Sequence, residues 1–164
     1  MQQRLFLLAA GSIALMGAAG PSRPTACLHP VTLKKAGESA CACVLASLHW
    51  NHTCIRLESG GEYVITAKGT WWDASHEHGP HGGPSDTRIL KMTERFRRLP
   101  HQDWFKLICA LDWQKKTAFP YDTFDAEHPY KAPADGELTC FANDVWLFYF
   151  NNTGVVQITV ERIR

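Results

Sequence analysis

Between residues 140 and 160 the chain reads CFANDVWLFYFNNTGVVQITV, and no other stretch limits the fold as tightly. Two apolar, β-type runs flank a loop that carries Asp144, Asn151, Asn152 and Gly154. The run from Val155 to Val160 is rich in β-branched residues, which suit a pleated, half-buried surface. Gly154 lets the chain leave the loop with positive φ. Asp144, Asn151 and Asn152 are hard oxygen donors, and a curved loop brings all three within reach of one cation. Calcium takes about 6–8 oxygens from carboxylates, amides, backbone carbonyls and water. The same residues also suit an Asx-rich hairpin that binds nothing. On the residues alone both readings stand.

The rest of the chain is patterned for strands. Residues 55–57 and 63–68 alternate around the turn Ser59-Gly60-Gly61, and residues 103–111 and 137–141 read as further strands. A short strand fits Val31-Thr32-Leu33, and residues 41–50 (CACVLASLHW) suit strand or helix. Residues 87–100 space Ile89, Leu90, Met92 and Phe96 as a short helix or ordered crossover would, with the basic side facing solvent. Residues 115–134 form a long polar and aromatic loop, in which Tyr121 and Tyr130 are candidates to stack on a ligand. Of the tryptophan pair after Gly69, Trp71 fits the core, while Trp72 suits core and site equally. The expected class is all-β.

A length of 164 residues suits one domain, and 45% hydrophobic content is enough for a core. A net charge of +1 gives no electrostatic case for nucleic acid or an anionic membrane as partner. Residues 1–20 have the form of a signal peptide: Arg4, an apolar run, then Gly17-Ala18-Ala19-Gly20. The run is short for a membrane span. Residues 21–40 read as a leader or linker and residues 41–164 as the folded body. The expected location is periplasmic or secreted, with no membrane contact after cleavage. Cys27, Cys41, Cys43, Cys54, Cys109 and Cys140 are then candidates for up to three disulfides. Cys41 and Cys43, if on one strand, face the same side and do not pair with each other.

The run His76-Glu77-His78-Gly79-Pro80-His81 offers imidazoles suited to zinc or copper, but no helix fixes them and a mobile surface loop is the commoner outcome. No GxSxG, HExxH or SxxK occurs, so an enzyme is not expected. Asn51-His52-Thr53 and Asn151-Asn152-Thr153 match the N-glycosylation pattern. A glycan on Asn151 would destroy a metal site there.

Three segments in order resemble the galactose-binding, calcium-dependent bacterial lectins of the PA-I type. They are Asn143-Asp144-Val145 with Asn151-Asn152-Thr153-Gly154, residues 53–69 with their strand, glycine turn, strand and glycine, and Gly79-Pro80-His81-Gly82. The resemblance spans residues 53–164, with one insertion around residues 87–103. It implies a galactose-binding-like β-sandwich of jelly-roll type, carrying here a signal peptide and a short helical insertion. It further implies that Asp144, Asn151 and Asn152 hold calcium with backbone carbonyls from Phe148 and from Trp72 or Asp73. Two vicinal sugar hydroxyls would complete the shell, with Asp144 and Asn151 bonding them and His81, Trp146 and Val145 lining the ligand. Carbohydrate, with galactose as the model, is the partner so implied, and a homo-oligomer is possible. The sequence departs from the family at Trp146 and Leu147, where Pro and Gly are usual. The family's pocket His has no counterpart in residues 83–87. A sandwich that has lost sugar binding and serves as a protein-interaction or inhibitor module is the alternative.

Overall fold

The computed structural model describes residues 29–84 and 88–164. Among the described residues ten strands make two sheets: β1 Val31–Thr32, β2 Ser39–Leu45, β3 Asn51–Leu57, β4 Glu62–Asp73, β5 His76–His78, β6 Leu107–Leu111, β7 Phe119–Pro120, β8 Tyr130–Lys131, β9 Gly136–Ala142 and β10 Asn152–Arg162. One sheet runs β1-β3-β9-β6-β7, and the other runs β2-β10-β4-β5 with β8 also on β4. All pairings are antiparallel except β1 with β3. This is the expected all-β sandwich, with strand in 47% and helix in 15% of the structure.

Alternation sets which side chains meet between the sheets. In β10, Val156, Ile158 and Val160 are fully buried, whereas Val155 is exposed. Ile65 and Tyr63 of β4, Val44 of β2, Ile55 and Leu57 of β3, and Leu107, Leu138 and Cys140 of β6 and β9 complete the core. Strand β9 is buried at every residue because its outer face is covered as well. Trp50 meets Phe141 edge-on at 4.8 Å, and the Arg98 guanidinium lies 3.3 Å above the same ring.

Two glycines bring β4 and β10 together. Gly69 has φ 116° and Gly154 φ 90°, both in the left-handed region. A Cβ on Gly154 would sit 2.8 Å from Trp71 Cα, and one on Gly69 would sit 2.8 Å from the Val155 carbonyl oxygen. The positive φ expected at Gly154 is present, although the residue lies inside β10 rather than before it.

Several expectations change. Residues 41–50 resolve into β2 and a turn, and the sheets already take up Val31–Thr32 and Ser39, inside the stretch read as leader. The insertion is α1, Arg88–Thr93, followed by a 3-10 turn at Glu94–Phe96. Its cations do not all face water. Arg97 and Arg98 are buried, Arg97 bonded to Glu94 and Arg98 stacked among aromatic rings. The long loop is pinned by β7, β8 and 3-10 turns, and Tyr121 and Tyr130 are buried, which removes them as ligand-stacking rings. Trp71 is core, as its composition suggested.

The cysteines also differ from a three-disulfide frame. Cys54 is disulfide-bonded, while Cys41, Cys43, Cys109 and Cys140 are free thiols. Cys27 lies outside the described residues, as do residues 1–20. Cys109 and Cys140 face one another across β6 and β9, with sulfurs 2.6 Å apart. Cys41 and Cys43 share the outer face of β2, where β10 opposes them with Thr159 and Gln157 rather than a thiol.

Candidate metal and ligand site

Three chain segments end at one corner of the sandwich. Strand β9 finishes at Ala142 and hands on to Asn143 and Asp144, β4 finishes at Asp73, and β10 begins at Asn152. The register of β4 on β10 sets Asp73 directly opposite Asn152. The link from Asp144 to Asn152 is a 3-10 turn, Trp146–Asn151, rather than an open loop. Its inner side is anchored by the Tyr149 hydroxyl, which donates to the Ala142 carbonyl. Asp144, Asn151, Asn152 and Asp73, four residues expected at the cation, therefore meet.

The hydrogen bonding in this corner is unbalanced toward acceptors. Asp144 is 1% exposed. Its carboxylate accepts from Val145 N–H at 2.6 Å and from Asn152 Nδ2 at 2.9 Å. Asp73 accepts from Asn151 Nδ2 at 3.0 Å. Asn151 Oδ1 and Asn152 Oδ1 are buried with no donor among the described residues. Among the described residues neither carboxylate has a Lys, Arg or His ion-pair partner. Burial, followed by the nearby charge of Asp73, pushes the Asp144 carboxyl up to about 6, against the opposing bonds from Asn152 and Val145. Leaving a buried acceptor unpaired costs roughly 1–3 kcal/mol. Amide oxygens and carboxylates are the donor types that a hard cation takes. Among the described residues no group of three or more His, Cys, Asp and Glu has metal-binding geometry. The set reaches four donors only by including amides, and the His76–His78 run forms no cluster of its own.

A pocket of about 310 Å³ opens onto this corner, lined by Asp73, Ala74, His76, Leu90, Thr93, Trp104, Asp144 and Phe148. Phe148 thus lines the pocket beside Asp144 and Asp73. Leu90 and Thr93 come from α1, so the insertion builds one wall. Sequence gave no hint of that wall, since the insertion has no counterpart in the resembling segments. His76 stood in the histidine run, but its place beside Asp73 follows only from the tight β4–β5 hairpin.

The other expected ligand residues are placed differently. Val145 is buried and serves Asp144 through its N–H. Trp146 turns to His49, ring centroids 4.2 Å apart, and its carbonyl bonds the His49 Nε2. His81 is held by Asp122 at 2.9 Å and by the Tyr121 hydroxyl, and it does not line the pocket. Of the two departures from the family, Leu147 is 77% exposed, and neither it nor Trp146 lines the pocket. Asn51, the other glycosylation-pattern asparagine, is buried and bonded to Leu45 and Cys140, out of reach of a glycan.

No protein-family model matches this chain, and no curated protein matches it. Among solved structures the chain is similar to the N-terminal domain of EclA, described as a PllA-like lectin. The TM-score is 0.53 at 22% sequence identity, over 74% of this chain and 94% of that domain. At that identity the likeness shows the fold alone: this chain is a β-sandwich similar in fold to that domain.

Proposed function

We propose that this protein binds carbohydrate through a calcium ion held by Asp144, Asn151, Asn152 and Asp73. One observation carries the reading: two buried amide oxygens with no donor among the described residues belong to asparagines bonded to two carboxylates that have no cationic partner there, and both carboxylates line a pocket. A divalent cation would satisfy all four groups at once and offset the repulsion that burdens Asp144. Calcium accepts neutral oxygens readily and keeps coordination sites for a ligand. Two vicinal hydroxyls of a sugar would take those sites, with Asp144 accepting a hydroxyl proton and Asn151 donating its amide. Trp104 and Phe148 offer apolar walls, and His76 a ring nitrogen, to the rest of the sugar. The likeness to a PllA-like lectin domain supports the same class of ligand. PA-I-type galactose preference, export and a soluble life outside the cytoplasm belong to this proposal, and the disulfide at Cys54 fits an oxidising compartment.

The test is thermal unfolding of the full chain in EDTA and in excess calcium, followed by a glycan array with calcium present. A higher melting temperature in calcium and calcium-dependent glycan spots are expected. An unchanged melting temperature sinks the metal site, and a shift without any glycan leaves a calcium-braced sandwich. The exposed Leu147 and Phe150 favour that second outcome as an interaction module for another protein.

A further inference from the structure

We infer that the edge strand β2 joins a second copy of this chain, cross-linked by two symmetric Cys41–Cys43 disulfides. Strand β2 is terminal in its sheet, with β10 as its neighbour on one side. Ala46 N–H donates to the Gly154 carbonyl on that side, so in β2 the even-numbered residues turn their backbone groups to β10. Leu45 turns the other way, and the Asn51 side chain caps both its N–H and its carbonyl. By the same alternation Ser39, Cys41 and Cys43 present their backbone groups at the outer edge. Among the described residues no strand pairs there.

That edge lacks the usual protections. Its sequence is SACACVL, with no charge and no proline, and its register on β10 runs without a bulge from Ser39 to Leu45. Both thiols are exposed on the outer face and free. The strand is also self-complementary. Antiparallel pairing of two β2 strands about a two-fold axis at Ala42 sets Cys41 of each copy opposite Cys43 of the other. The same axis sets Ala40 opposite Val44, and the Asn51 cap ends the ladder at Leu45. Directly opposed residues in such a hydrogen-bonded pair have Cα atoms about 5.5 Å apart, inside the usual span of a disulfide, about 4.4–6.8 Å. Opposed side chains lie on one face of the joined sheet, so each pair of sulfurs meets. Shifting the axis to Cys41 or to Cys43 brings only one pair of thiols together, so the Ala42 axis is the register that uses all four.

Each bond forms from two thiols, which lose two protons and two electrons. The acceptor is a dithiol–disulfide oxidant, which is reduced to its two thiols as the bond closes. Incubating the full chain with glutathione disulfide supplies that acceptor. Non-reducing electrophoresis and light scattering should then show a covalent dimer that reverts to monomer in excess dithiothreitol. Cys41→Ser and Cys43→Ser should each abolish it, because every bond needs one of each. The wild-type far-UV spectrum should persist in both, since both positions are exposed. A covalent dimer surviving in either variant overturns the register. A monomer carrying an internal Cys41–Cys43 bond, or glutathione on both thiols, overturns the interface.

Discussion

Asn143 and Asp144 are neighbours in sequence, both buried, and their surroundings differ in one respect: saturation. Asn143 Oδ1 accepts from Leu99 N–H at 2.9 Å, and its amide donates to the carbonyls of Leu99, Gln102 and Asp103. Every polar atom of that side chain is answered, and the knot ties the segment after α1 to the end of β9. One residue on, Asp144 and its partners Asn152, Asn151 and Asp73 hold two carboxylates and two orphaned amide oxygens. A saturated buried group is scaffold. An unsaturated one lowers stability unless something outside the chain completes it.

The largest expected effect breaks the scaffold side. Asn143→Leu removes the donor and acceptor that answer four backbone groups and should cost about 3 kcal/mol in urea unfolding. The loss should be of similar size in EDTA and in calcium. A loss confined to calcium would mean that Asn143 serves the metal rather than the fold.

Asp144→Asn should do the reverse. In EDTA it removes a buried charge next to Asp73 and should leave stability equal or higher. In calcium it should forfeit the ligand-linked gain, which at 100 times the dissociation constant is about 2.7 kcal/mol. Equal calcium responses in variant and wild type would remove Asp144 from the metal's shell.

Both neighbours stand in the motif Asn143-Asp144-Val145, and nothing in those letters separates scaffold from site. Strand patterning was enough for the all-β class and the glycine for the positive φ at Gly154, because both are local. The sandwich came with the lectin resemblance, and the residues alone left Asp144, Asn151 and Asn152 open between a cation loop and an Asx hairpin. What stayed hidden depends on distant contacts. The Asp73 carboxylate reaches Asn151 only through the β4–β10 register, whereas the resemblance offered at most its backbone carbonyl. Leu90 and Thr93 reach the pocket because α1 folds over it. The burial of Arg97 and Arg98 was missed because a basic helix side ordinarily faces water. The Arg98 guanidinium here spends its charge on the faces of Phe141 and Trp50.

That arginine supplies a test of intermediate size. Its side chain donates to the His49 carbonyl and to the Tyr149 hydroxyl at 3.1 Å, bracing the 3-10 turn between Asp144 and Asn152. Lysine keeps the charge but lacks the planar fork and the stacking face. Arg98→Lys should cost about 1–2 kcal/mol, and it should also weaken calcium binding in a terbium-displacement titration. A stability loss with unchanged calcium affinity would show that the turn holds its shape without this brace.

The smallest effect is the most specific to the unsaturated side. In the folded protein without metal the Asp144 carboxyl titrates at about 6, raised by burial and then by Asp73 from an ordinary value of 3.8. Between those two values the folded chain holds a proton that the unfolded chain has released, so stability falls as pH rises through that window. Below it both states are protonated and above it both are ionised, so the destabilising contribution is absent at the low end and fully present near neutrality. In EDTA, Asp144→Asn should therefore gain on the wild type as pH rises from 4 to 7, because the amide carries no charge to bury. Calcium reverses the wild type's slope, since the ion binds the ionised carboxylate and competes with the proton. Urea midpoints of both chains across that window, with and without calcium, decide the matter. A difference between the two chains that ignores pH would mean that Asp144 is already ionised without cost, and the case for an unsatisfied corner would fall with it.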